Sequence, residues 1–487
     1  MSSSAPSRLK RSPNGVIVAL LAAEFISAFE LTMVIAALKY IILEFGSPVG
    51  AGWMITSYLL VSAAAAALCG RLGDLFGRRR VLLIVLVLAT VGSLISLLSE
   101  TLWVVIVGRS IQGFAGAILP LCYGLVRENL PEERVPFGVA IIAYSVLIAS
   151  SMGFLVGGMI VDHVGWRYIF LASAAMAIVA IAMCVLLVPP SRQQPRSGSI
   201  DILGGVLFVP ALTAILLGTS SIGSAGLWAP QSSLSLSGGV LLLAIWIWHE
   251  LRIPNPLIDL RIMARRNTAL AIIAMSCYGL GPFQSQVVQL LAQQSSATGI
   301  GLGLSATQAS LLNIPSQIVA LLITPIAAVA CARFGARLTL IVASALMVAQ
   351  AALLILFHYS MFSLVSIFAV ATLGTICLFA SAPNLIVADV PADQISGATG
   401  MMQVSRSVMA AIGSQIVAAL LATELVSDPV TGKGPFPASS AYMVAFFFIA
   451  LAATIMLAAS LFVHGGAKSV RRAVPRKAAM DSGGHAV

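Results

Sequence analysis

The stretch Gly70-Arg71-Leu72-Gly73-Asp74-Leu75-Phe76-Gly77-Arg78-Arg79-Arg80 is a short polar break in a chain that is otherwise almost continuously apolar. Its glycines permit a tight reversal with positive backbone angles, and Asp74 can accept hydrogen bonds from the arginines or from a helix N-terminus. On either side lie the apolar runs 51–69 and 81–99. Each is close to the ~20 residues that a helix rising ~1.5 Å per residue needs to cross a ~30 Å hydrocarbon core. Two membrane-crossing helices joined by a basic turn are the reading. An ordinary basic turn accounts for the arginines but not for the glycine spacing around an embedded carboxylate.

Working outward, the same pattern recurs. Apolar runs fall at 16–38, 51–69, 81–99, 102–124, 137–160, 168–188, 201–222, 237–250, 268–291, 306–330, 338–357, 362–384, 398–422 and 440–463. The eighth is short, and its start is equally readable near Leu234. Of the 487 residues, 59% are hydrophobic and 9% charged, against about 45–50% and about 25% in an ordinary soluble domain. So much apolar surface needs lipid, and mean hydropathy is +1.02. Runs of this length indicate helices rather than a barrel.

Placing both termini on one side puts 22 of the 27 lysines and arginines on that side, with only Lys39, Arg167 and Lys433 opposite and Arg109 and Arg406 inside spans. The richer side is expected to be cytoplasmic, and an error of one span would scramble the segregation. The N-terminal segment carries Arg8, Lys10 and Arg11 before an apolar run, as a signal peptide would, but the run continues past Glu24 to Leu38 and reads as an uncleaved first span. Leu75-Phe76-Gly77-Arg78-Arg79 is echoed by Arg333-Phe334-Gly335-Ala336-Arg337, and Gly157 by Gly413. Two six-helix bundles follow, at 16–188 and 268–463. Between them, 189–267 holds linker segments and an inserted helix pair; 1–15 and 464–487 are cytoplasmic tails, the second basic and attracted to lipid headgroups.

Other classes fit poorly. The net charge of +10 is spread between apolar runs rather than gathered on a soluble face, so nucleic acid is set aside. The six cysteines show no CxxC or other metal or disulfide spacing. No G-x-x-x-x-G-K-[ST] loop supports an ATP-driven pump, and the five histidines form no catalytic or metal-binding motif, which speaks against an enzyme.

Charges within spans carry the functional argument. Arg109, in Gly108-Arg109-Ser110-Ile111-Gln112-Gly113, costs at least ~2.5–3.5 kcal/mol at mid-helix on insertion scales, so it should face a partner or a wet cavity. Gln112, three residues on, shares its face. The bland alternative is a tether to backbone carbonyls. Glu24 and Glu30 in the first span lie roughly 120° and ~9 Å apart on a helix, and burial favours the neutral form of a carboxyl, which suits a proton carrier. Glu24 lies nearer the basic end and is equally readable as solvated there. Gln286, Gln289 and Gln293, with Asn313, Gln317 and Thr324, suggest cavity walls at helical spacing, although such residues also bond adjacent helices.

The loop at 70–80 resembles the signature loop of the major facilitator superfamily. That resemblance implies a role for Gly73, Asp74, Gly77 and Arg78 in locking the cytoplasmic side while the cavity faces outward. The second copy has Ala332 at the place of the aspartate, so the lock is expected to be asymmetric. Arg109 is similar to an arginine that the family implicates in proton transfer. The stretch Glu30-Leu31-Thr32-Met33-Val34-Ile35-Ala36-Ala37-Leu38 looks like the first-span motif of the 14-helix drug:proton antiporter branch, with Glu where Asp is usual and without the proline that often follows. Trp53, Tyr58, Gly165-Trp166-Arg167-Tyr168-Ile169-Phe170, Asn255-Pro256-Leu257-Ile258-Asp259-Leu260 and Arg406 match the same branch. Span 5 departs from it: Gly153, Gly157 and Gly158 allow close packing, but Phe154 stands where the antiporter motif has proline.

The resemblance implies a secondary transporter without cofactor, driven by the proton gradient and multi-pass in the cell inner (plasma) membrane. It would work as a monomer on a small molecule and protons, with membrane lipids as its surroundings. Glu30, Arg109 and Glu24 are expected to couple protons; Trp53, Tyr58, Gln112, Gln286, Gln289, Asn313, Gln317 and Arg406 are candidates for the substrate cavity. With few mid-membrane charges, the expected substrates are lipophilic or amphipathic, cationic ones included. Alternatives are a dedicated exporter of one lipid or secondary metabolite, or a transport-inactive sensor or assembly protein that keeps the fold.

Overall fold

A computed structural model describes residues 12–191, 201–225, 228–253, 261, 265–281, 283–390, 395–430, 432 and 434–464. The Asn255–Leu260 match, most of the two tails and parts of the linker lie outside these residues.

Local chemistry sets the first hairpin. Helix α1 (Pro13–Phe45) has Ser12 as its cap, with the Gly15 N–H donating to its hydroxyl, and a proline in its first turn. It ends at Gly46, which takes the left-handed conformation (φ 64°) that costs little only without a Cβ. Ser47 then caps α2 (Pro48–Phe76), again with proline at the start. At the other end of α2, Gly77 turns the chain at φ 94° into α3 (Arg78–Leu97); Gly335, its counterpart in the sequence repeat, does the same at φ 90° between α13 (Ile314–Phe334) and α14 (Ala336–Phe357). The echo in sequence is therefore an echo in backbone.

The remaining helices of the first half are α4 (Leu102–Gln112), continued through a 3-10 turn into α5 (Ile118–Asn129), α6 (Val135–His163) and α7 (Tyr168–Leu187). The pair α8 (Ile202–Ala225) and α9 (Pro230–Glu250) pack on each other, and α8 also lies against α2 and the later α16. Helix α9 thus starts at Pro230, earlier than the run at 237, because Pro230 at its first turn begins it through polar residues. The second half continues with α10 (Arg266–Leu280), α11 (Gln286–Gln293), α12 (Ala306–Leu311), α13, α14, α15 (Met361–Asp389), α16 (Ile395–Leu421) and α17 (Ser439–Leu461). A two-residue hairpin pairs β1 (Leu425–Val426) with β2 (Phe436–Pro437) before α17, too short to leave a pattern in the sequence.

Among the described residues, eleven helical rods are long and apolar enough to cross a membrane. The other three predicted spans fall on α6 and α8, with shorter apolar stretches at Ile148–His163 and Leu203–Gly218, and on the interrupted pair α10 and α11. At that interruption Gln284 Nε2 donates to the Gly279 carbonyl (2.7 Å), a group the break releases, and to the Ala410 carbonyl (3.2 Å) of the neighbouring helix. Leu186, Leu322 and Leu451 are 67%, 66% and 60% exposed on outer helix faces, a surface suited to lipid rather than water.

Two cores belong to one half each. The first gathers Leu20, Leu86, Ile118, Leu125 and Ala180; the second gathers Met275, Met347, Leu378 and Met456. A third runs across both halves and includes Phe29, Met54, Leu291, Ala411 and Tyr442. This shared core closes the end opposite the basic loops. Along α2 every residue from 51 to 60 is buried, whereas Val61, Ser62, Ala66, Leu68 and Gly70 toward the basic end are partly exposed.

Candidate functional site

The polar centre of the first half is built on Glu30, which α1 carries near its middle and which is fully buried. Its Oε1 accepts hydrogen bonds from Ser173 Oγ of α7 (2.7 Å), Gln112 Nε2 of α4 (3.3 Å) and Ser93 Oγ of α3 (3.5 Å). Its Oε2 accepts none and remains available for a proton. Four helices meet on one oxygen.

Arg109 lies beside this carboxylate without forming an ion pair with it. Its Nε donates to the Met54 carbonyl (3.2 Å), its Nη1 to the Glu30 backbone carbonyl (3.1 Å) and to Gln112 Oε1 (2.8 Å). The guanidinium carbon also sits 4.4 Å from the centre of the Tyr58 ring, whose hydroxyl donates to the Ser27 carbonyl (2.8 Å). Gln112 is the link: Arg109 holds its oxygen, so its amide N–H groups turn to Glu30 and to Ser93 Oγ (2.6 Å). The tether reading of Arg109 is correct for two of its bonds, and the third joins it to the carboxylate's own shell. Glu24, six residues earlier on α1, is buried as well, with Oε2 unpartnered.

Around this knot the halves are shut at the end away from the basic loops. Asp162, in the last turn of α6, accepts from the backbone N–H groups of Ala306 (3.0 Å) and Thr307 (2.8 Å) at the start of α12, and from Tyr40 Oη of α1 (3.0 Å). Gln293 Nε2 donates to the Ala36 carbonyl (3.0 Å), and Thr56 Oγ1 to Gln415 Oε1 (3.3 Å). Gly157 brings α6 against the backbone of Met33, and Gly158, one residue on, against the Ala306 carbonyl of the other half. Gly153 faces Thr32 and Phe29. The span-5 glycines therefore do pack helices, one of them across the two halves, while Phe154 is buried in the shared core.

At the basic end the described hydrogen bonds stay within each half. Arg78 reaches the Gly124 carbonyl (3.3 Å) and Glu128 Oε1 (2.8 Å) of α5, and Gly73 packs against Leu121. Asp74 belongs to the final turns of α2; its side chain lies outside the description. In the second half Asp389 receives the Thr268 N–H (3.1 Å) and hydroxyl (2.9 Å).

A helical architecture of two halves, bonded to each other at one end and holding buried charges, is the setting for a comparison with known proteins. A family model described as Major Facilitator Superfamily matches residues 20–414. The chain belongs to the major facilitator superfamily. With eleven helices among the described residues long and apolar enough to cross a membrane, it is a multi-pass membrane protein of that superfamily. An uncharacterized transporter of the superfamily from Mycobacterium tuberculosis is 32% identical over 239 residues, 49% of this chain and 35% of that protein. The probable multidrug resistance protein EmrY of Escherichia coli is 29% identical over 322 residues, 64% of this chain and 60% of its own length. The putative multidrug resistance protein MdtD of Cronobacter sakazakii is 26% identical over 427 residues, 85% and 88% of the two chains. The matches to the first two thus span less than two thirds of those relatives. Among solved structures, the partially occluded inward open xylose transporter XylE from E. coli superposes with TM-score 0.60 at 13% identity, covering 94% of this chain and 99% of that one.

Within the superfamily fold, the predicted residues separate into three places. Glu30, Arg109 and Gln112 come together in one hydrogen-bonded knot, with the Tyr58 ring against Arg109. Gln286, Gln289 and Gln293 line the closed seam instead of an open wall: Gln286 Nε2 donates to Ser414 Oγ (3.2 Å) and Gln289 Nε2 to the Ala309 carbonyl (3.4 Å). Asn313 and Trp53 are buried nearby, and Gln317 is half-buried. Arg406 stands apart in the second half. Ser93, Ser173 and Asp162 carry bonds that sequence reasoning missed, because a single serine or helix-end aspartate has no pattern until the helices are docked.

Proposed function

We propose that the protein is a secondary active transporter that exports lipophilic or amphipathic small molecules from the cytoplasm in exchange for protons. It would do so by alternating access, as a monomer in the inner membrane with its basic loops and termini inside. One observation carries the reading: a fully buried carboxylate, Glu30, whose partners are two serine hydroxyls and an amide rather than a cation. A hydroxyl can donate to a carboxylate or accept from a carboxylic acid, so this shell tolerates Glu30 in either protonation state, as a proton carrier requires. Arg109, held by backbone carbonyls, supplies a fixed positive field beside it and orients Gln112. The names of the relatives from E. coli and C. sakazakii agree with export of drug-like compounds.

Closure through Asp162, Gln293 and Thr56 at one end supports the cycle. Breaking the seam while Arg78 and Gly77 draw the halves together at the basic end would expose the site on the other side. The test is accumulation of a panel of amphipathic dyes in an efflux-deficient bacterium expressing wild type or Glu30→Gln at matched levels, with and without an uncoupler. Lower accumulation by wild type, abolished by the uncoupler and by Glu30→Gln, is expected. Dye export that persists in Glu30→Gln and under the uncoupler would rule the coupling out.

A further inference from the structure

Arg406 lies near the middle of α16, just short of the seam where Ala411 and Gln415 of the same helix meet Thr56 of α2. Unlike the buried seam residues, both Arg406 and Gln403 are half-buried, and three residues apart they share a helix face. Arg406 Nε donates to Gln403 Oε1 (3.2 Å). Its guanidinium carbon is 5.5 Å from the centre of the Phe283 ring and 5.8 Å from that of Phe379. Tyr278 packs edge-on against both rings, at 5.8 and 6.0 Å, and fixes the pair. Gly279 lets α10 press against the Arg406 carbonyl, so the backbone beneath the side chain is also held.

The cage offers aromatic faces but no negative charge. Among the described residues Arg406 makes no ion pair, and its only hydrogen-bond partner is Gln403. A guanidinium has five donors, no acceptor and a permanent charge, and within a membrane such a group pairs with an opposite charge or faces a wet cavity. The Nη1 and Nη2 edge is therefore a ready fork for the two oxygens of an anion. Gln403, having given its oxygen to Arg406, has its amide N–H groups left to join that fork.

We propose that Arg406 heads an anion-accepting subsite of the transport path, taking the carboxylate or sulfonate of an amphipathic aromatic substrate between Phe283 and Phe379. The subsite narrows the substrate class reached above and rests on that transporter reading. Anions and zwitterions fit it, whereas a simple cation placed there meets Arg406 with the wrong sign.

The experiment uses three probes with one ring system and three charges: naphthalene-1-acetate, naphthalene-1-acetamide and 1-naphthylmethylamine. Equilibrium binding to the purified full chain in detergent should show the carboxylate bound about tenfold tighter than the amide, as a charge-assisted fork predicts. Arg406→Gln should erase that preference while leaving amide affinity unchanged, and Arg406→Lys should keep part of it, since an ammonium retains charge without the fork. Equal affinity for all three probes, no binding of the carboxylate, or a preference that survives Arg406→Gln overturns the subsite. Should Arg406→Gln not fold, Gln403→Leu replaces it, with a severalfold loss for the carboxylate alone expected and no change overturning the proposal. Uptake of the same probes into proteoliposomes separates the two claims: binding preference without any transport defeats the transporter reading, and transport without preference defeats the subsite.

Discussion

Arg109 and Arg406 are both arginines in the middle of apolar helices, yet the fold surrounds them differently. Arg109 is wholly buried, bonded to two backbone carbonyls and a glutamine and stacked on Tyr58. Arg406 has one glutamine and two phenylalanine rings, and stays half-buried. The difference teaches that the energetic cost of an arginine in a membrane can be met in two ways. Internal acceptors at Nε and Nη1 make Arg109 part of the scaffold although its Nη2 stays unpartnered, whereas Arg406, bonded through Nε alone in a half-buried aromatic cage, is suited to a ligand.

The strongest attempt to break this contrast is Arg109→Met. Arg109 donates to three buried acceptors and each left unsatisfied costs about 1–3 kcal/mol, so thermal unfolding in detergent should shift far down and export should vanish. A variant with wild-type stability would mean that the knot is not structural. Next in size is Gln112→Leu, which takes one hydrogen bond from each of Arg109 and Glu30; an unsatisfied buried group costs about 1–3 kcal/mol. Here uncoupler-sensitive export should fall while the folded protein survives, and unchanged export would show that Arg109 needs no link to the carboxylate.

Asp162→Ala sharpens the comparison by loosening the seam between the two regions. Three hydrogen bonds to a carboxylate are lost, and each ~1.4 kcal/mol shifts a conformational equilibrium about tenfold. A bifunctional thiol reagent joining Thr56→Cys and Gln415→Cys should then cross-link less; equal yields would show that Asp162 does not hold the seam. The smallest effect is expected of Arg406→Met. A partly exposed cation on aromatic rings is worth only about 0.5–1 kcal/mol, so the unfolding midpoint should hardly move. A shift as large as that of Arg109→Met would make Arg406 a scaffold residue and erase the contrast.

Much of the knot was legible before folding. Glu30, Arg109 and Gln112 stand out because charge and amide are costly in apolar runs, and Gly77 with Gly335 because the repeat places a glycine at each matching turn. Ser93 and Ser173 were not legible, since serine is common in packed membrane helices and gives no sign of which neighbour it will meet. The glutamines at 286, 289 and 293 read as a cavity stripe, but every residue of α11 is buried; their place in a closed seam depends on which end of the protein is shut. Likewise the run at 268–291 reads as one span, and its division into α10 and α11 shows only when Gln284 caps the break.

The sequence by itself determined the helical membrane class, the two related halves and the charged residues that need partners, because burying an apolar run or a charge has a cost that composition and spacing expose. Tertiary structure alone decided which partners those charges received. Glu30 could have paired with Arg109, but the packing of α3, α4 and α7 on α1 gave it hydroxyls and an amide. Arg406 could have found a carboxylate, but the break after α10 and helix α15 brought it phenyl rings. Hydrogen bonds act over about 3 Å, and contacts that short between residues so distant along the chain are fixed only when the helices dock.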